Sequence, residues 1–540
     1  MVLKGNVIDV INRKIFPGEI RIENGKIVSV KEIDATFNNY FIPGLVDAHV
    51  HVESSMLVPS EFAAAAVVHG TTGTVSDPHE IANVLGKKGI DFMIENAKQV
   101  PFKFYFGVPS CVPATDFETS GARLSSEDIR EIFLKHDLKY LSEMMNFPGV
   151  VYDVPDVLDK IEVAKSLGKK IDGHAPGLRG ADAQKYVAAG ISTDHECFTL
   201  EEALEKINFG MKILIREGSA AKNFNALNSL LNSHPDSCML CSDDKHPDDL
   251  LKSHINGIIK MGLDEGHDFF NLLRAATLNP ISHYGLENGL LREGDPADIV
   301  EIDNLNDFNI LRTYINGKLC AEKGESLLSK PTFIPINAFN CTEKSPDEFA
   351  VTAQSGNINV IAAVDGELIT NRISAEAKIY NGNIVSDVEN DILKIAVVDR
   401  YNDGKPSIAF IRNFGLKSGA IASSVAHDSH NIIAVGTSDL EIANAVNVLV
   451  KHEGGIAVVD GEYEHVLPLP VAGIMAADDI QTVAAKYIEI DNKAKELGST
   501  LKAPFMTLSF MALLVIPELK LSDKGLFDGK NFKFTELTAS

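Results

Sequence analysis

The sequence predicts an α/β protein built on a (β/α)8 TIM barrel, with a small composite β domain and a C-terminal α/β domain. Three observations carry this expectation. Between Asp47 and about Pro280, short apolar runs alternate with helical stretches often enough to supply eight βα units, in roughly the length such a barrel needs. Polar side chains with metal and acid–base chemistry recur at the C-terminal ends of those runs. Finally, a chain of 540 residues is too long for one ordinary core, so two or three domains are expected.

Residues 2–42 have the texture of short strands, with turns expected at Pro17-Gly18 and Asn24-Gly25. The same texture returns at 289–319 in GLLREGDPADIVEID and YINGK, so segments 1–43 and 285–330 are expected to form one β domain from both sides of the barrel. Barrel strands are expected at 44–52, 73–76, 103–108, 140–144, 170–173, 191–194, 211–216 and 237–242, within a barrel spanning 44–284. Helical stretches between them include 61–68, 80–97, 126–136, 154–167, 200–206, 222–231 and 247–261. PTFIPINAF then reads as a linker into a further α/β domain, 335–540. The apolar stretch 505–517 falls short of the roughly 20 residues a bilayer crossing needs and is expected to be a buried element.

In the first barrel strand, His49 and His51 lie one residue apart, so strand alternation turns both imidazoles to one face. Two neutral imidazoles on a rigid strand supply half of a tetrahedral ligand set for a first-row transition metal. The strand ends that follow carry Asp77 with His79, Cys111 and Asp116, Glu143, His174, His195 with Glu196, Glu217, and Asp243 with Asp244. In a barrel those ends meet on one face, where active sites of this fold sit. A binuclear centre follows from the ligand chemistry: His49, His51 and Asp243 around one cation, His174 and His195 around a second, and Glu143 bridging them. Imidazole and carboxylate ligands suit zinc, manganese or iron, and spacing alone does not choose among them.

Composition narrows the partners. The formal net charge of −25 repels polyanions, so no nucleic-acid partner is expected, and no membrane span is visible. The N-terminal residues lack the apolar core of a secretory leader, and six cysteines in so long a chain make no disulfide framework; a cytoplasmic location is expected. Gly70-Thr71-Thr72-Gly73 has neither the lysine nor the spacing of a P-loop, which favours a free base over a nucleotide as ligand.

The motifs PGLVDAHVHVESSM (43–56), GTTGTVSDPHEIANVLG (70–86), PSCVPATDFETSGA (109–122), YLSEMMNFPGVV (140–151), DGHAPGL (172–178), STDHE (192–196) and CSDDKHPDDL (241–250) resemble those of the bacterial and archaeal adenine deaminase family, within the amidohydrolase superfamily. The likeness covers nearly the whole chain. Glu143 is its sharpest marker, because many relatives in the superfamily place a carboxylated lysine on the fourth strand; Lys139 lies outside that motif. The resemblance implies hydrolysis of adenine to hypoxanthine and ammonia by a metal-bound hydroxide, in purine salvage. It also implies a divalent transition metal, two per chain, manganese or iron with zinc also compatible, and a homo-oligomer.

Asp243 is the first choice for carrying the hydroxide proton to the leaving amine, and Glu143 is the second catalytic residue. Glu80 and Asp244 are candidates for contacts to the ring nitrogens. In SSVAHDSHNIIAVG, residues 423–436, His427 and Asp428 are expected at the substrate pocket near the barrel mouth, with His430 close by.

Three other readings of these residues stand beside that one. His51-Val52-Glu53 with Cys238-Met239-Leu240-Cys241 faintly echoes the HxE and PCxxC of zinc nucleoside deaminases, but Asp236-Ser237 replaces the proline, and the two cysteines alternate to opposite strand faces. An amidohydrolase acting on another cyclic amide or amidine remains the main alternative, with Glu143 against it. A metal-free scaffold should have lost ligands, and none of the six proposed positions is missing.

Overall fold

The computed structural model describes residues 1–353 and 356–539. These divide into two compact units. The first comprises Met1–Pro78, Asp91–Ser110 and Ser125–Phe333; the second comprises His79–Ile90, Cys111–Leu124 and the described part of Ile334–Ser540. The stretch 44–284 is therefore shared between units, because 79–90 and 111–124 group with the C-terminal chain.

In the first unit, eight strands follow one another in order: Leu45–Val50, Thr71–Ser76, Lys103–Phe106, Tyr140–Met144, Lys170–Gly173, Thr193–Asp194, Lys212–Arg216 and Cys238–Cys241. Neighbours pair in parallel along the runs from the first to the third, the fourth to the fifth and the sixth to the eighth. A Val108–Leu141 bridge joins the third to the fourth, and Ser192 N donates to Ile171 O at 2.9 Å between the fifth and sixth. The ring closes where Val50 bridges Asp243 in parallel and Asp243 N donates to His49 O at 2.9 Å. This is the expected (β/α)8 barrel.

Its helices start on local signals. Pro59 opens Pro59–Val67 at the first helical turn, where a missing N–H costs nothing. Ser125 and Asp128 form a reciprocal capping box at Ser126–Lys135, and Thr199 caps Leu200–Asn208. Ile213, Ile215, Leu240, Leu272 and their neighbours are fully buried between strands and helices. Each such side chain contributes about 1.5–3 kcal/mol of transfer free energy.

A second sheet in this unit takes strands from both ends of the barrel region. Its order runs Glu325–Ser326, Lys318–Glu322, Ile310–Ile315, Ile299–Ile302, Tyr40–Pro43, Val2–Asp9, Lys14–Glu23, Lys26–Glu32. Asn24 and Gly25 turn with φ of 50° and 78°, the left-handed pair a tight hairpin demands. Pro17-Gly18, expected as a turn, lies inside a strand instead. Pro17 faces Asn6, whose N–H is given to Asn39 O at 3.0 Å, so that pair asks for no donor from proline.

The second unit is built on an eight-stranded mixed sheet running Thr370–Glu376, Asn357–Ala363, Ser407–Arg412, Ile392–Val398, Ile432–Gly436, Ala420–Ser423, Gly455–Asp460, Tyr463–Pro468. Helix Asp439–His452, capped by Ser438, buries Ile442, Val446 and Leu449 against it. The apolar stretch near the C-terminus is buried, as expected, around helix Pro504–Phe510. Among the described residues no helix is long and apolar enough to cross a membrane.

Candidate metal centre

Three buried polar side chains hold the C-terminal ends of the barrel strands together in pairs. Asp47 shares a strand face with His49 and His51. One oxygen of its carboxylate accepts from His49 N at 3.2 Å and Ser242 N at 3.0 Å; the other accepts from Ser242 Oγ and lies 2.8 Å from His254 Nε2. The first and eighth strands are thereby held in register. Tyr186 accepts from His174 N at 3.0 Å and donates to Met144 O at 2.8 Å, which ties the fourth strand to the fifth. Asn223 accepts from Arg216 N at 2.8 Å and donates to His195 O at 3.0 Å, which does the same for the sixth and seventh.

The ligand atoms so positioned converge. His49 Nε2 and His51 Nε2 are 3.2 Å apart, and Asp243 Oδ1 lies 3.6 and 3.3 Å from them. Glu143 Oε1 is 3.4 Å from His51 Nε2. Its other oxygen, Oε2, is 2.9 Å from His174 Nδ1, 3.2 Å from His195 Nε2 and 4.0 Å from His49 Nε2. Donors around a four-coordinate ion with bonds of about 2.0–2.1 Å sit about 3.3 Å from one another, so these spacings are those of ligands sharing a cation. With one carboxylate oxygen turned to His51 and the other to His174 and His195, Glu143 could reach cations held on either side.

All six residues are buried, and a cation suits their charge. The carboxylates of Glu143, Glu196 and Asp243, with Asp77 within ligand distance of His51 and Glu143, outnumber the guanidinium of Arg216 among these buried groups. Burial alone would raise the Glu143 carboxyl, but His174, His195 and His51 outweigh it and hold it well below the usual carboxylate range. Burial likewise opposes ionisation of Asp243, and Arg216 followed by His49 and His51 reverses the balance. Both carboxylates are thus favoured in the anionic form a cation ligand needs.

Arg216 and Glu196 are what the sequence reading left outside its site. Arg216 ends the seventh strand with its side chain fully buried. Its Nη1 donates to Glu196 Oε1 and, at 2.6 Å, to Asp243 Oδ2; its Nη2 donates to Glu196 Oε2 at 2.9 Å. An arginine at the end of an apolar strand, KILIR, beside an acidic residue on the preceding strand end was the available signal.

Asp244 is half-buried beside His51 and Asp243, and it accepts from Ser54 Oγ at 2.5 Å. Other expected residues fall in different places. Glu217 is buried; Asp116 is exposed and pairs with Arg123. Lys139 pairs with Asp137 and Glu287 at 3.6 and 3.7 Å, away from the ligands. Cys238 and Cys241 are buried on the eighth strand and form no disulfide.

Glu80, His427 and Asp428 belong to the second unit, where they meet His79 and His430. Glu80 Oε1 is 2.5 Å from His427 Nδ1 and 3.6 Å from His79 Nε2, while Oε2 contacts His430 Nε2. Asp428 Oδ1 is 3.8 Å from His79 Nε2. Burial opposes the Glu80 charge, but His427, His430 and His79 bring its carboxyl well below the ordinary range. In the same unit, burial and then Asp428 push the Glu118 carboxyl well above it.

Residues 40–320 match the model of the amidohydrolase family, and residues 367–533 match the adenine deaminase C-terminal domain. Several full-length proteins named adenine deaminase are similar to this chain. That of Methanosarcina mazei is 55% identical over 548 residues, covering 99% of each chain. That of Sulfurovum sp. is 53% identical over 537 residues, and that of Borreliella burgdorferi 47% over 542, each again covering 99% of both chains.

Proposed function

The chain belongs to the adenine deaminase family of the amidohydrolases, and on that premise we propose that it hydrolyses adenine to hypoxanthine and ammonia. The observation that carries the reading is Glu143, a glutamate where a bridging ligand is needed, with Oε1 toward His51 and Oε2 toward His174 and His195. In this proposal His49, His51 and Asp243 hold one divalent cation, His174 and His195 hold a second, and Glu143 is shared. Manganese or iron is the first choice, and zinc is compatible with the same donors. Bound divalent cations supply Lewis acidity that makes a water proton labile near neutral pH.

The chain's own groups do the rest. The attacking water adds its oxygen to the amino-bearing ring carbon, and the bond from that carbon to the amino nitrogen breaks. Asp243 accepts the water proton on its carboxylate and passes it to the departing nitrogen. Deep burial of the ligand set keeps bulk water from competing for that proton. Asp244 is proposed as a contact to the purine; an unchanged KM for adenine in Asp244→Ala would count against it.

The test is ammonia release from adenine by protein loaded separately with manganese, iron and zinc, with metal counted per chain on the same samples. Turnover with up to two metals bound supports the proposal. Two bound metals without adenine turnover would move the substrate to another cyclic amide or amidine, and a purine and cyclic-amide panel identifies it. Neither metal nor turnover would leave the scaffold reading. We also propose a cytoplasmic homo-oligomer without nucleic-acid or membrane partners; the net charge of −25 argues against a polyanionic partner, and sedimentation checks the assembly.

A further inference from the structure

We infer that Arg216, paired with Glu196, is a positioning residue that locks the Asp243 carboxylate, holding Oδ2 so that Oδ1 alone faces the ligand cluster. The inference rests on the metal-site reading above and adds a residue to it.

The geometry is specific. Arg216 Nη1 is shared between Glu196 Oε1 and Asp243 Oδ2, and Nη2 closes a bidentate pair on Glu196 Oε2. The opposite oxygen of Asp243, Oδ1, is the one lying 3.6 and 3.3 Å from the His49 and His51 nitrogens. A carboxylate without this clamp turns freely about its last torsion and points its oxygens over a wide range of directions. With one oxygen in a charge-assisted bond, tilting the carboxylate plane away from the histidines would break that bond among buried groups. The orientation of Arg216 is itself held, because its backbone N–H donates to Asn223 Oδ1 at 2.8 Å and its planar fork matches Glu196.

Glu196 explains how a guanidinium is tolerated beside a cation site. Its carboxylate neutralises Arg216, so the pair offers Asp243 a hydrogen-bond donor with no net positive charge to repel a metal. Glu196 Oε1 also lies 3.4 Å from His195 Nε2 and 3.6 Å from His174 Nδ1, so the same pair reaches the second group of ligands. A purely structural ion pair has no need to share one Nη between a partner and a ligand. Outer groups of this kind, which orient metal ligands, change metal affinity or activity by about 10–100-fold when removed.

The experiment compares wild type with Arg216→Ala, Arg216→Lys and the charge-balanced double variant Arg216→Met/Glu196→Gln. Metal retention against a competing chelator is measured without substrate, and kcat and KM for adenine are measured with and without added guanidinium, far below unfolding concentrations. Arg216→Ala should lose metal more readily and lose kcat by about 10–100-fold with KM little changed. Guanidinium should restore part of both in Arg216→Ala and neither in Arg216→Lys, whose ammonium fills the space but lacks the fork. If Arg216→Ala does not fold, the double variant answers: weakened metal retention supports the clamp, and wild-type retention overturns it. Wild-type retention and kcat in Arg216→Ala, or losses that guanidinium leaves untouched, also overturn it. Weakened retention that guanidinium restores, in a protein that never deaminates adenine, sustains the clamp and removes the substrate assignment instead.

Discussion

Replacing Glu143 by glutamine tests the bridging arrangement most directly. The substitution preserves shape but turns one of two anionic oxygens into an NH2 group with no lone pair for a cation. Because Oε1 faces His51 at 3.4 Å while Oε2 faces His174 and His195 at 2.9 and 3.2 Å, either amide orientation removes a ligand from one side. The NH2 sits best where imidazole nitrogens accept from it, beside His174 and His195, so the second cation should suffer first. Loss of groups that merely orient ligands costs up to about 100-fold, so loss of a ligand should cost at least that much, about 2.7 kcal/mol, at the weakened position. Metal counted per chain after chelator competition should fall by at least one relative to wild type, and adenine turnover should fall by at least 100-fold. Wild-type metal retention together with wild-type turnover would refute the bridging role, since no third posture of the amide leaves both sides with an oxygen.

Asp243→Asn is expected to weaken metal retention as well as turnover, because Arg216 demands an acceptor and turns the amide oxygen to itself, leaving the NH2 facing His49 and His51; atomic absorption after dialysis against chelator checks it. Lys206→Met removes the buried cation that contacts Asp194 and donates to Glu202 Oε1 at 2.7 Å and Ala175 O at 2.7 Å, beside His195. Stranding two buried carboxylates should lower stability by about 3–5 kcal/mol, and an unchanged urea midpoint would contradict this. Lys520, fully buried with its Nζ on Leu368 O at 2.6 Å and Phe510 O at 2.9 Å, has its ammonium pulled down to about 7 by burial. The unfolded chain then binds the extra proton between about pH 7 and 10.4, so this lysine's penalty is full below 7 and is relieved as pH rises through that window. Stability of wild type relative to Lys520→Met should rise across it by up to about 5 kcal/mol, and a flat difference in denaturant unfolding would refute the assignment.

Much of this molecule was legible in the order of its residues, wherever the controlling interaction is local. Alternation with period two placed His49 and His51 on one strand face without reference to the rest of the chain. Eight apolar runs separated by helical spacers left few folds open, and the barrel observed has its strands within a few residues of the expected positions. Imidazole and carboxylate side chains recurring at successive strand ends then singled out Glu143, His174, His195 and Asp243, and the fold brings these side chains to one place. What could not be read locally depends on which strands become neighbours and how their ends are held. Pro17-Gly18 looks like a turn in isolation and is a strand in the fold, because Asn6, opposite Pro17, gives its own N–H to Asn39 O and the pair asks for no donor from proline. The segment carrying His79 and Glu80 follows a barrel strand in sequence yet groups with the C-terminal chain, a choice made by packing. Arg216 shows the difference most plainly. Its place at the end of KILIR is written in the sequence, but its bonds to Glu196 and Asp243 exist only once the sixth, seventh and eighth strands stand side by side, because a guanidinium acquires its role from partners 20 and 27 residues away.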